Sequence, residues 1–176
     1  QRDTLGWHLL RNQSYIISRN TAHLQIIGVD NTSCQGQGFQ TTSRGDLPKA
    51  MSSLNQEKRT KSQDISVTTE QTEVISLESL FLAPESKIMQ ILLSHDPSHW
   101  RGEVVPTTDI PLTLSGHTHA GQVRLFGYPL SSLMFTESEG WYQLEDQSLY
   151  INTGIGCTLP VRLGVPAEIT VITLHN

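Results

Sequence analysis

The sequence is poor in cysteine. Cys34 and Cys157 are the only two among 176 residues, and they lie 123 positions apart. That excludes a disulfide framework and a thiolate zinc site, so any metal here must use imidazole and oxygen donors. Long hydrophobic runs are also missing. Stretches such as Ile88 to Leu93 fall far short of the ~20 residues a membrane helix needs, so no transmembrane segment is expected. Charge is sparse, with 16% Asp, Glu, Lys and Arg against a usual ~25%. The balance is 12 basic to 17 acidic residues, a net charge of −5. Without a basic surplus or stripe, a nucleic-acid polymer is not an expected partner. The first residues, Gln1-Arg2-Asp3-Thr4, carry neither an initiator methionine nor a signal-peptide pattern. The chain is therefore expected to be a mature or excised piece whose compartment is not legible.

The polarity that charge does not supply comes from 18 Ser, 18 Thr and 13 Gln. Seven histidines stand beside them. The length suits one domain with a core of its own. The runs 14–18 and 24–29, separated by a short polar stretch, predict a hairpin. Asp46 is placed to cap a short helix, with Pro48 in its first turn and Leu47, Ala50, Met51 and Leu54 along one side. From Asn55 to Ser76 only Ile65, Val67, Val74 and Ile75 are apolar, too few to bury much surface, so 55–76 reads as a polar insertion. Leu77, Leu80 and Phe81 follow at helical spacing, stopped by Pro84. Ser98 to Val104 is expected to be a short helix. Strands are expected at 88–93, 110–114, 122–126, 141–144, 149–152 and 168–174.

Two of these apolar strands run straight into histidine. Ile88 to Leu93 ends at Ser94-His95-Asp96-Pro97, and Ile110 to Leu114 ends at Ser115-Gly116-His117-Thr118-His119. In open α/β sheets, ligand sites lie at the carboxyl ends of strands. If both strands share a sheet, His95, His117 and His119 meet at one edge. A separation of two would place His117 and His119 on opposite sides of a helix, but a loop beyond a strand can aim both inward, with Gly116 and Gly121 letting the backbone turn. Three neutral imidazoles suit Zn, Fe, Mn or Ni. His8, His23 and His175 read as structural or solvated, and His99, four residues after His95, as a residue on a helix surface, with a supporting place behind the His95 site as the alternative.

The segments 91–97 and 112–122 together resemble the calcineurin-like metallophosphoesterases. The second is similar to their Gly-His-x-His motif and the first to their preceding single-His motif. Ile151 to Gly156, Leu159 to Arg162 and Pro166 to Ile169 resemble the closing segment of the bacterial branch, and 45–51 resembles a helix start there. The resemblance covers nearly the whole chain except 55–76. It implies a C-terminal half of a layered α/β sandwich with mixed β-sheets and flanking helices, one partial domain over 1–176. It also implies hydrolysis of a phosphoester or pyrophosphate by water activated between two divalent metal ions (Mn, Fe or Zn). His95 and His117 would hold one ion and His119 the other. The family's Asp-x-His, bridging Gly-Asp and Gly-Asn-His motifs do not occur here. The resemblance therefore puts the bridging Asp and the leaving-group His upstream of this chain. This piece alone is expected neither to hold two metals tightly nor to turn over.

Arg162 is a weaker candidate, for contact with a substrate phosphate. Leu125, Phe126, Tyr128, Leu130, Leu133, Met134 and Phe135 read either as ordinary packing or as a wall for a lipid-linked substrate; a phosphorylated small molecule is the other substrate class. Asp96 and Asp109 could add a carboxylate. Two rival readings stand beside the phosphoesterase: a single-metal three-His hydrolase with a carboxylate base, and a non-catalytic binding fragment. A half-fold is also expected to leave a sheet surface exposed for self-association.

Overall fold

The computed structural model describes residues 8–19, 22–31, 45–53 and 88–175. The expected insertion at 55–76, the helix at 77–81 and most of the Gly-rich loop after Asn31 lie outside them. The described strands are β1 (Gln13–Arg19), β2 (Ala22–Gly28), β3 (Met89–Leu93), β4 (Leu112–Ser115), β5 (Arg124–Leu125), β6 (Tyr128–Pro129), β7 (Gly140–Leu144) and β8 (Gln147–Ile151). Six of them form one mixed sheet in the order β1-β2-β3-β4-β8-β7. β2, β3, β4 and β8 run parallel, and antiparallel β1 and β7 close the two edges. With its flanking helices this is an α/β architecture, as the strand-helix pattern predicts. β5 and β6 form a separate small hairpin.

One face of the sheet carries the core. The register aligns Ile27, Leu92, Thr113, Leu149 and Tyr142 across five strands, and Ile27, Leu92 and Leu149 are fully buried. The helix Leu47–Ser52 covers this face with Leu47 and Ala50. Asp46 caps it as expected, its carboxylate accepting from Lys49 N at 2.9 Å. A π-helical turn, Trp100–Val104, runs into a short α-helical turn, Val105–Thr107. It adds Trp100 and Val104 to the same core. Gly28 is needed for close approach, because a Cβ there would sit 2.5 Å from Leu10 Cβ.

The opposite face is also apolar. Tyr15, Ile17, Leu24, Ile26, Ile91, Leu93, Leu112, Leu114, Tyr150 and Trp141 share it by register. Tyr15, Ile17, Leu93 and Trp141 are exposed. Of the strand expected at 122–126 only Arg124–Leu125 forms, and the one at 168–174 does not form: Glu168 to Leu174 enters no ladder. Its polar side chains bond to Tyr150, Asn152 and Thr153 instead, and Ile169 and Val171 face outward at 81% and 86% exposure. Among the described residues no helix is long and apolar enough to cross a membrane.

Because Leu92 sits at the centre of the core face, Leu92→Ala is expected to lower unfolding free energy by about 2–5 kcal/mol. Urea denaturation followed by circular dichroism would measure it, and a loss under about 1 kcal/mol would show that this face is not the core.

Candidate metal centre

Parallel pairing places three strand ends side by side. Beyond them the backbone stays in register: Ser94 N donates to Leu114 O at 3.0 Å, Gly116 N to His95 O at 3.2 Å, and Asn152 N to Ser115 O at 2.9 Å. His95, His117, His119 and Thr153 thus collect at the carboxyl edge of the sheet, where open α/β sheets bind ligands.

The loop after β4 is strained. His117, His119, Ala120 and Gln122 have φ of 70°, 47°, 52° and 59°, and Gly121 has 67°. Four non-glycine residues in the left-handed region within six positions is unusual. Each costs on the order of 1–3 kcal/mol and persists only where the surroundings enforce it. Turning at His117 and again at His119 lets residues two apart aim at one site. The sequence reading assigned that turn to the glycines. Gly116 takes no part in it: a Cβ there would meet only Asn152 O, at 3.8 Å. Gly121 does, because a Cβ would come within 2.6 Å of Ser131 N.

Buried side chains enforce the turn. Thr118 Oγ1 donates to Ser138 O at 2.6 Å. Gln122 saturates its amide: Nε2 donates to Leu159 O and Val161 O at 2.6 and 2.8 Å, while Oε1 accepts from Thr158 N and Leu159 N at 2.7 and 2.8 Å. Sequence reasoning assigned neither residue a role. A polar residue in a left-handed stretch between buried elements was the available signal.

His117 Nδ1 and His95 Nε2 face each other at 3.0 Å, with ring centroids 4.7 Å apart. Two nitrogens each ~2.1 Å from one ion and ~90° apart around it are separated by ~3.0 Å, so the pair fits a shared divalent metal. Burial lowers the His95 pKa, the neighbouring His117 lowers it further, Asp96 opposes, and His119 adds a smaller lowering effect. A neutral imidazole is the form a metal requires. His119 Nδ1 lies 3.1 Å from Thr153 O. A carbonyl only accepts, so Nδ1 carries the proton, and in the neutral form of the ring the lone pair is on Nε2. Among the described residues no three His, Cys, Asp or Glu side chains converge as one metal-holding group.

The other candidates are placed as follows. Asp96 is buried, and its Oδ1 accepts from Ser98 N and Oγ at 2.9 and 2.7 Å. Asp109 precedes β4 and so stands at the amino end, across the sheet from His117. His99 is not on a helix surface: it is buried, with Nδ1 2.9 Å from Ser94 Oγ and Nε2 3.2 Å from Glu103. Burial lowers its pKa against the pull of Glu103. His8 stacks on Tyr15, His23 meets Ser18 Oγ, and His175 is exposed. Arg162 Nη2 donates to Thr153 O and Gly154 O at 3.0 and 2.9 Å and also to Gly156 O, while Nη1 donates to Pro166 O at 3.2 Å.

The segment 125–134 does not pack under a loop: Leu125, Phe126, Tyr128, Leu130, Leu133 and Met134 are all exposed, Phe126 by 92%. Phe135 turns back and sets its ring against His117, centroids 5.7 Å apart. It also lines a cleft of about 300 Å³ with Ser98, Arg101, Gly102, Met134, Thr136 and Glu137.

Seven curated proteins match the chain. An uncharacterized metallophosphoesterase of Bacillus subtilis, YkuE, is 38% identical over 120 residues, 59% of this chain and 41% of that protein. A transmembrane protein with metallophosphoesterase domain of Danio rerio is 37% identical over 91 residues, 49% of this chain and 20% of that protein. An uncharacterized metallophosphoesterase of Campylobacter jejuni is 37% identical over 88 residues, 49% of this chain and 23% of that protein. The chain is a relative of the metallophosphoesterases. The matches span less than half the length of each of these proteins. No family model matches the chain, and no solved structure matches it.

The loop leading back from β8 is tied to the tail through Glu168. Its Oε2 accepts from Thr153 N and Oγ1, both at 3.0 Å, and its Oε1 from Tyr150 Oη and Thr170 Oγ1. Burial alone would raise this carboxyl, but the hydrogen bonds from Tyr150, Thr153 and Thr170 outweigh it and lower the pKa to about 2 from the ordinary 4.5. A depressed carboxylate stabilises the fold above its unfolded value. That stabilisation is lost as pH falls from about 4.5 towards 2. Thermal melts across this window should show the wild-type protein losing a stability increment that Glu168→Gln lacks at every pH. Parallel melting curves would show that the carboxylate is not held this way.

Proposed function

We propose that this chain carries part of the active site of a metal-dependent phosphohydrolase that cleaves a phosphoester or pyrophosphate. The observation that carries the reading is the facing of His95 Nε2 and His117 Nδ1 at 3.0 Å, beside His119 with its Nδ1 committed to a carbonyl. The names of the curated relatives support the same reaction class. His95 and His117 would hold one divalent ion, and His119 would offer Nε2 to a second. When bound, such a pair supplies Lewis-acid charge and a water of lowered pKa for in-line attack at phosphorus. The chain's own residues bind and orient: the left-handed turn aims His117 and His119, Phe135 fixes the outer side of His117, and burial keeps His95 uncharged. The bridging carboxylate and leaving-group acid of this mechanism are not supplied by Asp96, which caps the turn at Ser98, or by Asp109, at the wrong end of β4.

Zinc titration against a competing chelator tests the ligand assignment. His117→Ala is expected to weaken binding by at least about tenfold, as loss of a metal-site residue does; unchanged affinity would sink the assignment. With bis(p-nitrophenyl) phosphate and excess manganese the 176-residue chain is expected to show no turnover, and turnover abolished by His119→Ala would overturn that expectation.

The exposed segment 125–134 favours an amphiphilic, lipid-linked phosphoester as the substrate. Residues 125–136 include no charged side chain. Phe126 occupies a hairpin tip with φ 51°, a conformation turns normally give to Asn or Gly. An exposed Phe held there has no packing role among the described residues. Cosedimentation with phosphatidylcholine vesicles is expected, and is expected to be lost in the Phe126→Ser, Leu133→Ser double variant. Retention of binding in that variant, or no binding at all, would remove the lipid reading.

A further inference from the structure

His119 sits at φ 47° in a strained loop, so local backbone preference does not determine where its ring points. An external anchor must do so. The anchor is Thr153 O, 3.1 Å from His119 Nδ1, and Thr153 is held from both sides. Arg162 Nη2 donates to the same oxygen at 3.0 Å and to the next carbonyl, Gly154 O, at 2.9 Å. Glu168 Oε2 accepts from Thr153 N and Oγ1, each at 3.0 Å. A carbonyl oxygen has two lone pairs, so Arg162 and His119 can share it. The ring also lies against the loop: a Cβ on Gly154 would be 3.6 Å from His119 Nδ1.

We propose that Arg162 and Glu168 are positioning residues for His119: by clamping Thr153 between opposite charges they hold the carbonyl that keeps the proton on Nδ1, and so present Nε2 as the donor atom. A carbonyl behind a metal-binding histidine fixes its tautomer and ring orientation, and losing such a partner typically costs 10–100-fold in metal affinity. That Nε2 faces a metal rests on the function proposed above; the clamp and the tautomer do not. The assignment also differs from a substrate-contact role for Arg162, because Nη2 and Nη1 are directed at backbone oxygens.

The metal-free chain, labelled with nitrogen-15 at histidine and held at about pH 8, above the ordinary histidine range, provides the first test. Long-range proton–nitrogen spectra should show His119 with its proton on Nδ1. Arg162→Gln should shift the population towards Nε2–H, and Arg162→Lys should restore part of it. An unchanged tautomer in Arg162→Gln overturns the proposal; if that variant does not fold, Glu168→Gln carries the same readout. Zinc competition provides the second test. Arg162→Gln should weaken binding about tenfold in the wild-type background and less than about twofold beside His119→Ala, because its effect passes through that ring. Equal weakening in both backgrounds would make Arg162 a general loop stabiliser and overturn the proposal. Zinc binding indifferent to His119→Ala, with the tautomer shift intact, would support the clamp and remove the metal role of His119.

Discussion

Everything at the candidate centre depends on parallel pairing of β3, β4 and β8. Parallel strands end on the same edge, so the residues that follow them are neighbours whatever their distance in sequence. His95 and His117 are 22 positions apart, and His119 and Thr153 are 34 apart, yet each pair is in contact. The register is held by burial rather than by the polar groups at the edge. Ile27, Leu92 and Leu149 share one row, and a slip of one residue would turn that row away from the helices that cover it.

The turn after β4 shows how function and stability oppose one another locally. Several left-handed non-glycine residues together cost several kcal/mol, and within residues 117–122 only Gly121 N to Thr118 O at 2.8 Å and Ala120 N to Thr118 Oγ1 at 3.3 Å are recorded against that cost. The compensation lies in tertiary contacts: Gln122 with its four amide bonds, Thr118 bound to the backbone at Ser138, and Gly121 pressed against Ser131. The segments 130–138 and 158–163 therefore act as supports for a geometry formed elsewhere. The absence of regular structure in 158–163 follows from this, since its backbone groups are spent on Gln122 and Leu163 N on Gln122 O.

The parts of this arrangement that were legible in the sequence are those with a local physical signature. The hairpin β1–β2, the capped helix at Asp46 and the apolar strands running into His95 and His117 follow from alternation, capping chemistry and apolar runs. The conversion of Glu168 to Leu174 from expected strand to unpaired tail was not legible. Its β-prone composition is real, but its geometry is decided by Glu168 reaching Thr153 and Tyr150. The burial of His99 has a related cause: its contact with Ser94 Oγ has no periodicity, so a helix at 98–104 gives no sign of it. Long-range polar contacts have no periodicity, so Arg162, Thr153 and Glu168 could not be joined by reading along the chain.

The two faces of the sheet carry the last step. A strand buried on one face alternates apolar with polar residues, whereas one covered on both reads as a continuous apolar run. Ile91-Leu92-Leu93 belongs to the second kind, whereas in β4 Leu112 and Leu114 alternate with Thr113 and Ser115; register puts Ile91, Leu93, Leu112 and Leu114 on the side away from the core helices. Tyr15, Ile17 and Trp141 extend that side to both edges, exposed. The sequence is thus written for a sheet with layers on both sides, as the layered sandwich of the metallophosphoesterases requires. Metal chemistry imposes the same demand from another direction. Three imidazoles at the edge of a sheet supply neutral donors but no negative charge, and a divalent pair held by neutral donors alone keeps its full charge in a half-buried site. Carboxylates must face these histidines for such a pair to be held firmly.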